Sequence, residues 1–262
     1  MQRIAHGTLV YYRFRSLSAE DGLVHGIFTR LGGHSGPPWE SLNTGHTVGD
    51  APEAVLANHH AICDALGVDM AQLVSPHQVH GTRVAAVGGA DRGQVIADAD
   101  GLITNVPGVV LMLRFADCAP VWLYDRRLRA IGLAHAGWRG AVAGVAGATV
   151  RAMSAAFGCR PRDLVAGIGP SIGPCCYEVG ADVAHAVEHA FGQEGASFLE
   201  PRGADKWHLD IWAANRHWLV QAGVQEVEVA RMCTACNTEE WFSHRAERGR
   251  TGRMGALVAL RE

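Results

Sequence analysis

Short apolar runs, most of four to seven residues and each bounded by turn-forming residues, recur along this 262-residue chain. They cover residues 24–29, 72–79, 109–115, 121–124, 130–134, 164–168, 227–231 and 257–260. Runs this short are too brief for most globular helices and suit strands buried in a core. Residues 121–124 and 130–134, joined through 125–129, read as a hairpin. A hairpin pairs antiparallel, so a purely parallel sheet is excluded.

Helical stretches lie between the strands. Residues 52–66 follow Asp50, a candidate N-cap, and stop before Gly67. Residues 141–157 are rich in Ala and Val, end at Gly158 and read as one deeply packed helix. Residues 182–191 and 210–222 are amphipathic, the second stopped by Gly223. No repeat, low-complexity tract or linker divides the chain, so the expectation is one α/β domain spanning residues 1–262.

Composition narrows the partners. Apolar residues at 48% and charged residues at 19% describe an ordered globular chain. The net charge is −3 with no run of Lys or Arg, which gives no electrostatic support to a nucleic acid or an anionic membrane. No segment approaches the ~20 continuous apolar residues of a membrane span. The first residues, Met1-Gln-Arg-Ile-Ala-His-Gly7, lack a signal-peptide core. With seven cysteines, the expected setting is a reducing cytoplasm with free thiols. No protein partner is evident.

His80, Cys118 and His135 each close an apolar stretch and form a candidate zinc set. Two imidazoles and a thiolate leave a fourth zinc position open, as catalytic zinc requires. Their separations are too wide for a compact knuckle, so the fold would have to bring them together. Taken singly, such a His is usually hydrogen-bonded structure and such a Cys a small buried side chain. The neighbours point further. Asp117 sits beside Cys118, and His135 runs into Gly137-Trp-Arg-Gly140 and then a helix. A strand–glycine turn–helix junction presents free backbone N–H groups to an anion, and Arg139 adds a planar charge suited to phosphate. Glycine-rich loops at residues 31–38 and 167–174 lie beside other candidates.

The motifs then identify a resemblance. His25-Gly-Ile-Phe-Thr-Arg-Leu-Gly-Gly33, Ser41-Leu-Asn-Thr-Gly45, Val48-Gly-Asp50 and Gln78-Val-His-Gly81 open the series. Ala116-Asp-Cys-Ala-Pro120, His135-Ala-Gly-Trp-Arg-Gly140 and Gly169-Pro-Ser-Ile-Gly173 continue it, and Cys175-Cys-Tyr-Glu-Val179 and Phe242-Ser-His-Arg245 close it. In this order they resemble the YfiH-like family, variously described as multicopper polyphenol oxidoreductase (laccase), purine nucleoside phosphorylase and peptidoglycan editing factor. The resemblance implies a four-layer α/β/β/α fold with mixed sheets, shared with certain cysteine deamidase toxins. It implies catalytic zinc on His80, Cys118 and His135. The implied chemistry is phosphorolysis of adenosine, inosine, guanosine and methylthioadenosine, with phosphate as co-substrate, and hydrolytic deamination of adenosine. Phe115 and His244 depart from the family pattern and bear on pocket shape.

Arg30 and Arg139 are expected to bind the anion, and Asn43 the ribose hydroxyls or base edge. His25 and Arg245 are expected to support the site from behind. Trp138 and Tyr177 offer aromatic faces for a purine, while Trp122, Trp212 and Trp218 fill the core. Asp117 and Glu178 lie beside these motifs and are read as supports for the ligands.

Three rivals remain. Multicopper oxidation gathers many imidazoles through His-x-His pairs, yet none occurs among the fourteen histidines; copper at a His/His/Cys site would be adventitious. A Cys118 thiolate with His80 or His135 as base could hydrolyse an amide, for example in a muropeptide precursor. A non-catalytic zinc module would want a fourth ligand. His77, three residues before His80 on an extended strand, faces away from it, and Cys233-Thr-Ala-Cys236 is a single CxxC that usually marks incidental thiols.

Overall fold

A computed structural model describes residues 1–18, 20 and 22–261. Its largest sheet has seven strands in the order β1 (Gln2–His6), β2 (Leu9–Arg13), β3 (Leu23–Phe28), β16 (Met254–Leu260), β8 (Val110–Phe115), β4 (Leu73–Pro76) and β6 (Val95–Ile96). The second has six, ordered β15 (Glu226–Val229), β11 (Leu164–Ile168), β9 (Ala119–Asp125), β10 (Ala130–Ala136), β7 (Gly101–Thr104) and β5 (Val84–Ala86). A small third sheet joins β12 (Glu178–Gly180), β14 (Lys206–Leu209) and β13 (Leu199–Gly203). The two large sheets mix directions: β4 pairs parallel with β8, and β9 and β10 form the expected antiparallel hairpin.

The sheets stack because their strands are apolar on both faces. Phe14, Ile27, Leu111, Phe115, Trp122, Leu133 and Met254 fill the space between the first and second sheets. The outer face of the first sheet is covered by α2 (Pro52–Leu66), whose Ile62, Cys63 and Leu66 meet Met112 and Leu257. The outer face of the second is covered by α4 (Val145–Phe157) and α6 (Ile211–Gln221). Helix, sheet, sheet and helix make the four layers anticipated. Two more helices, α1 (Arg15–Ser18) and α5 (Ala181–Phe191), lie beside this frame, the latter on the third sheet.

Several local expectations change. Ala51, not Asp50, is the N-cap of α2, and it makes no side-chain cap; Asp50 instead takes the Nδ2 donor of Asn43. Gly67 ends α2 in the left-handed region as expected. The helix read over 141–157 is two: α3 (Trp138–Val142) and then α4, separated by Gly144 at φ +83°. A Cβ there would also meet the Trp218 indole at 3.2 Å, so the helix breaks where a glycine lets the chain turn. The run 72–79 keeps only Leu73–Pro76 as strand, which leaves His80 in a loop at φ +61°.

Candidate metal centre

The three ligand candidates arrive from both large sheets. His80 follows β4 of the first sheet, Cys118 lies in the turn from β8 into β9, and His135 sits on β10 of the second sheet. Side chains alternate along a strand, so His135 shares the face of Ile131 and Leu133 and looks into the space between the sheets. Its ring lies 5.5 Å from that of Phe115, whose side chain is fully buried. One ligand atom from each of His80, Cys118 and His135 lies within 4.8 Å of the others. Burial grades across the group, from exposed His80 through partly buried Cys118 to buried His135, so the centre opens on the His80 side.

Asp100, which no motif singled out, holds this group together. It is fully buried at the entry to β7. Its carboxylate accepts from the backbone N–H groups of Val79 (3.1 Å), His80 (3.0 Å) and Gly81 (2.7 Å). The same carboxylate meets His135 Nδ1 at 2.8 Å. One side chain thereby fixes the unusual backbone of His80 and turns His135 so that Nε2 faces the other ligands. Burial opposes the charge on Asp100, but the His135 contact and the Gly81 and Val79 amides outweigh it and hold the carboxyl below its usual range. The signal available in the sequence is an acidic residue just before the short apolar run at 101–104.

Burial likewise opposes the Cys118 thiolate, yet His135 and His80 bring its pKa down to about 6. For His135 burial works against the cation, while Cys118 and Asp100 raise it to about 9. Two imidazoles, a thiolate and a carboxylate behind one imidazole form a donor set that suits zinc. Gly137 completes the fit, since a Cβ there would stand 2.7 Å from His80 Cδ2 and 3.0 Å from Cys118 Sγ.

The other expected site residues divide. Tyr177 lies within electrostatic reach of Cys118, Arg245, Asp117 and Arg139; burial, the strongest influence, pushes its phenol well above the ordinary value. The Arg245 guanidinium stacks over the Tyr177 ring at 5.2 Å and donates to the Glu178 carbonyl. Arg139 is exposed and lies over Trp138 at 4.6 Å. Arg253, absent from the sequence reading, is partly buried within reach of Cys118 and Asp117. Its signal would have been a cation shortly after Phe242-Ser-His-Arg245.

Three expected site residues have polar atoms engaged within the fold. Asn43 is fully buried and its amide is saturated: Oδ1 accepts from Gly45 and Arg253, and Nδ2 donates to Gly45 and Asp50. It positions Arg253 and has no atom left for a sugar. Arg30 is tied through Nε and Nη1 to the Glu40 and Thr238 carbonyls and to Glu247, and it lies over Phe242, so it joins these loops. His25 is buried on β3, where its Nε2 accepts from the Phe14 N–H. Burial lowers its pKa to about 4. Its partner Val258 stands four residues, roughly 13 Å, along β16 from Met254, the partner of Phe115. His25 therefore supports the sheet at a distance from the centre.

Asp117 has φ +79° and its carboxylate accepts from Thr234 Oγ1 (2.6 Å) and the Arg245 N–H (2.6 Å). It anchors loops. The Glu178 carboxylate is exposed and meets Lys206. A surface groove of about 560 Å³ is lined by Pro174, Trp212 and Arg216 and by none of the three ligand candidates. Among the described residues, the groups of three or more metal-capable side chains are this triad and a four-cysteine cluster; neither gathers the imidazoles of a trinuclear copper centre. Among the described residues, no helix is long and apolar enough to cross a membrane.

Residues 24–261 match the family model described as multi-copper polyphenol oxidoreductase laccase. The "Purine nucleoside phosphorylase YlmD" of Geobacillus stearothermophilus is 38% identical over 92% of this chain and 91% of its own. The "Purine nucleoside phosphorylase YfiH" of Escherichia coli is 36% identical over 88% and 91%. The crystal structure of YlmD from Geobacillus stearothermophilus superposes with a TM-score of 0.94 at 35% identity, covering 100% of this chain and 98% of that one. That of the Bacillus licheniformis hypothetical protein YfiH gives 0.92 at 34%, covering 98% and 97%.

Proposed function

The chain belongs to the family described as multi-copper polyphenol oxidoreductase laccase, and from that premise we propose that it is a zinc-dependent purine nucleoside phosphorylase centred on His80, Cys118 and His135. The observation that carries the reading is the convergence of these three ligand atoms within 4.8 Å. Asp100 behind His135 gives the arrangement found at metal-bound histidines. Zinc held by His80, Cys118 and His135 would supply Lewis acidity there.

The chain's own groups account for the rest. Arg139, Arg245 and Arg253 surround the Cys118–Tyr177 region and provide the positive charge for phosphate. Tyr177 and Trp138 present aromatic faces to the purine. In phosphorolysis a phosphate oxygen attacks C1′, the C1′–N9 bond breaks, and the purine leaves with the bonding pair and takes a proton. Tyr177, kept protonated by burial and by the negative charge of Cys118, is our assignment for the donor of that proton. Adenosine, inosine, guanosine and methylthioadenosine are the proposed substrates, with adenosine deamination as a second activity of the same centre. The test is phosphate-dependent release of free base from each nucleoside, with ammonia release from adenosine followed alongside. A Cys118→Ala protein that kept both a metal at His80 and His135 and its phosphorolysis would overturn the assignment.

One observation favours a second reading. The Cys118 thiol, lowered to about 6 beside His135, has the character of a thiolate–imidazolium nucleophile. A metal-stripped protein that hydrolyses amides, and loses that activity in Cys118→Ala, would establish the amide hydrolase instead.

A further inference from the structure

The CxxC set aside as incidental does not stand alone in the fold. Cys233 and Cys236 meet Cys175 and Cys176, and one sulfur from each lies within 4.8 Å of all the others. The Cys236 Sγ is 3.3 Å from both Cys175 Sγ and Cys176 Sγ. A sulfur shared equally between two partners is the geometry of ligands around a common centre, since a disulfide would single out one of them. Four thiolates at the Zn–S distance of ~2.3 Å form a tetrahedron with edges of about 3.8 Å, close to the spacing seen. The Gly173 N–H donates to Cys233 Sγ at 3.2 Å, and the Cys236 N–H also reaches that sulfur. Amide donors to sulfur are the outer contacts that steady metal-bound thiolates.

We propose that Cys175, Cys176, Cys233 and Cys236 form a closed tetrathiolate zinc site that staples together the two loops walling the His80–Cys118–His135 centre. Binding converts four thiols and one Zn²⁺ into a zinc tetrathiolate and releases four protons to solvent. All four positions are taken by protein, so this zinc is structural. What it holds is specific. The first loop runs through Ser171 and Ile172 to Tyr177, and the second through Met232 to Thr234. A β-bridge joins Ser171 to Cys233. Both loops seize the residue before Cys118: the Ile172 N–H donates to the Asp117 carbonyl at 2.9 Å, and Thr234 Oγ1 donates to its carboxylate. Tyr177, next to Cys176, reaches the Cys118 region itself. The staple thus fixes the wall that carries Tyr177 and the anchor that sets Asp117.

Protein purified without added metal, and without a metal-affinity tag, is weighed by native mass spectrometry, and its zinc is probed by X-ray absorption. Wild type should carry two zinc ions per chain. Cys118→Ala should keep one, with four sulfur neighbours at about 2.3 Å. Cys175→Ser/Cys236→Ser should lose that ion. Cys118→Ala without zinc, or with zinc held by nitrogen and oxygen, overturns the proposal, as does a 2-Da mass deficit that peptide mapping places among these four cysteines. If the double variant does not fold, the Cys118→Ala measurement decides alone. Should the His80–Cys118–His135 centre hold no metal, wild type and Cys118→Ala would carry the same single ion. Failure of the functional reading is therefore distinguishable from failure of this one.

Discussion

The two clusters of metal-capable side chains differ in what surrounds them. At His80, Cys118 and His135 the side chains come from both large sheets, a buried carboxylate stands behind them, and one flank faces solvent. At Cys175, Cys176, Cys233 and Cys236 all four groups come from two loops, and the outer contacts identified are backbone amides. Three ligands with an orienting carboxylate leave room for a reacting molecule, whereas four thiols close on themselves. The contrast teaches where to look for chemistry: substitution in the first should abolish turnover and spare the fold, and substitution in the second should lower stability while largely sparing turnover.

The sharpest test of the comparison is thiol reactivity in metal-free protein at pH 7. Cys118 lies near 6 because the imidazoles of His135 and His80 outweigh burial; Cys176 is raised to about 12, first by burial and then by its Cys236 neighbour. After allowing for the weaker nucleophilicity of a low-pKa thiolate, Cys118 should alkylate at least ~100-fold faster than Cys176. Peptide mapping after brief iodoacetamide treatment checks this, and equal labelling would erase the distinction. The advantage should shrink as pH rises above 6, where Cys118 is already deprotonated and only Cys176 still gains thiolate, and level off below 6, where both thiols take up protons in parallel.

Next is Cys118→Ala, which should lower kcat/KM for phosphorolysis by more than the ~100-fold that loss of an outer partner can cost, while leaving the melting temperature of the metal-free protein nearly unchanged. Asp100→Asn should cost ~10–100-fold in metal affinity or activity, because it puts an NH₂ among N–H donors that need a carboxylate oxygen. Metal titration read alongside kcat/KM separates that outcome from simple unfolding. The smallest effect on turnover is expected from Cys175→Ser/Cys236→Ser: a loss within ~10-fold with the melting temperature lowered by several degrees, about 2–4 °C per kcal/mol. A fall in activity as steep as that of Cys118→Ala, with unchanged stability, would move the cysteine cluster into the reaction itself.

How legible these regions were in the sequence follows from the same physics. The central strands β8, β9, β10, β11 and β16 are buried along nearly their whole length, so their apolar runs stand out. Strand β1, Gln-Arg-Ile-Ala-His, is largely exposed at a sheet edge, and β5 and β6 are three and two residues long; such strands carry no hydrophobic period to read. The break at Gly144 was hidden because Ala and Val continue on both sides of it. At the centre, His80, Cys118 and His135 could be picked out from their neighbours and the resemblance. Asp100 could not, since its importance lies in what it faces across β7 and β10. Arg30, Asn43 and His25 sit in motifs just as prominent, but the fold uses their polar atoms internally. The cysteine cluster escaped because Cys176 and Cys233 lie far apart along the chain, and only folding makes a lone CxxC into half of a set.

The division of the ligands between two sheets has a mechanical consequence. His80 rides on the first sheet, His135 on the second, and Cys118 sits where the chain crosses from one to the other. A one-residue slip of β10 against β9 would turn His135 away from its partners, because neighbouring side chains point to opposite faces. A sliding of one sheet over the other would open the distance between the two imidazoles even with every strand in register. The centre works as a caliper closed across the interior of the molecule, its gap recording how the two halves of the sandwich are aligned.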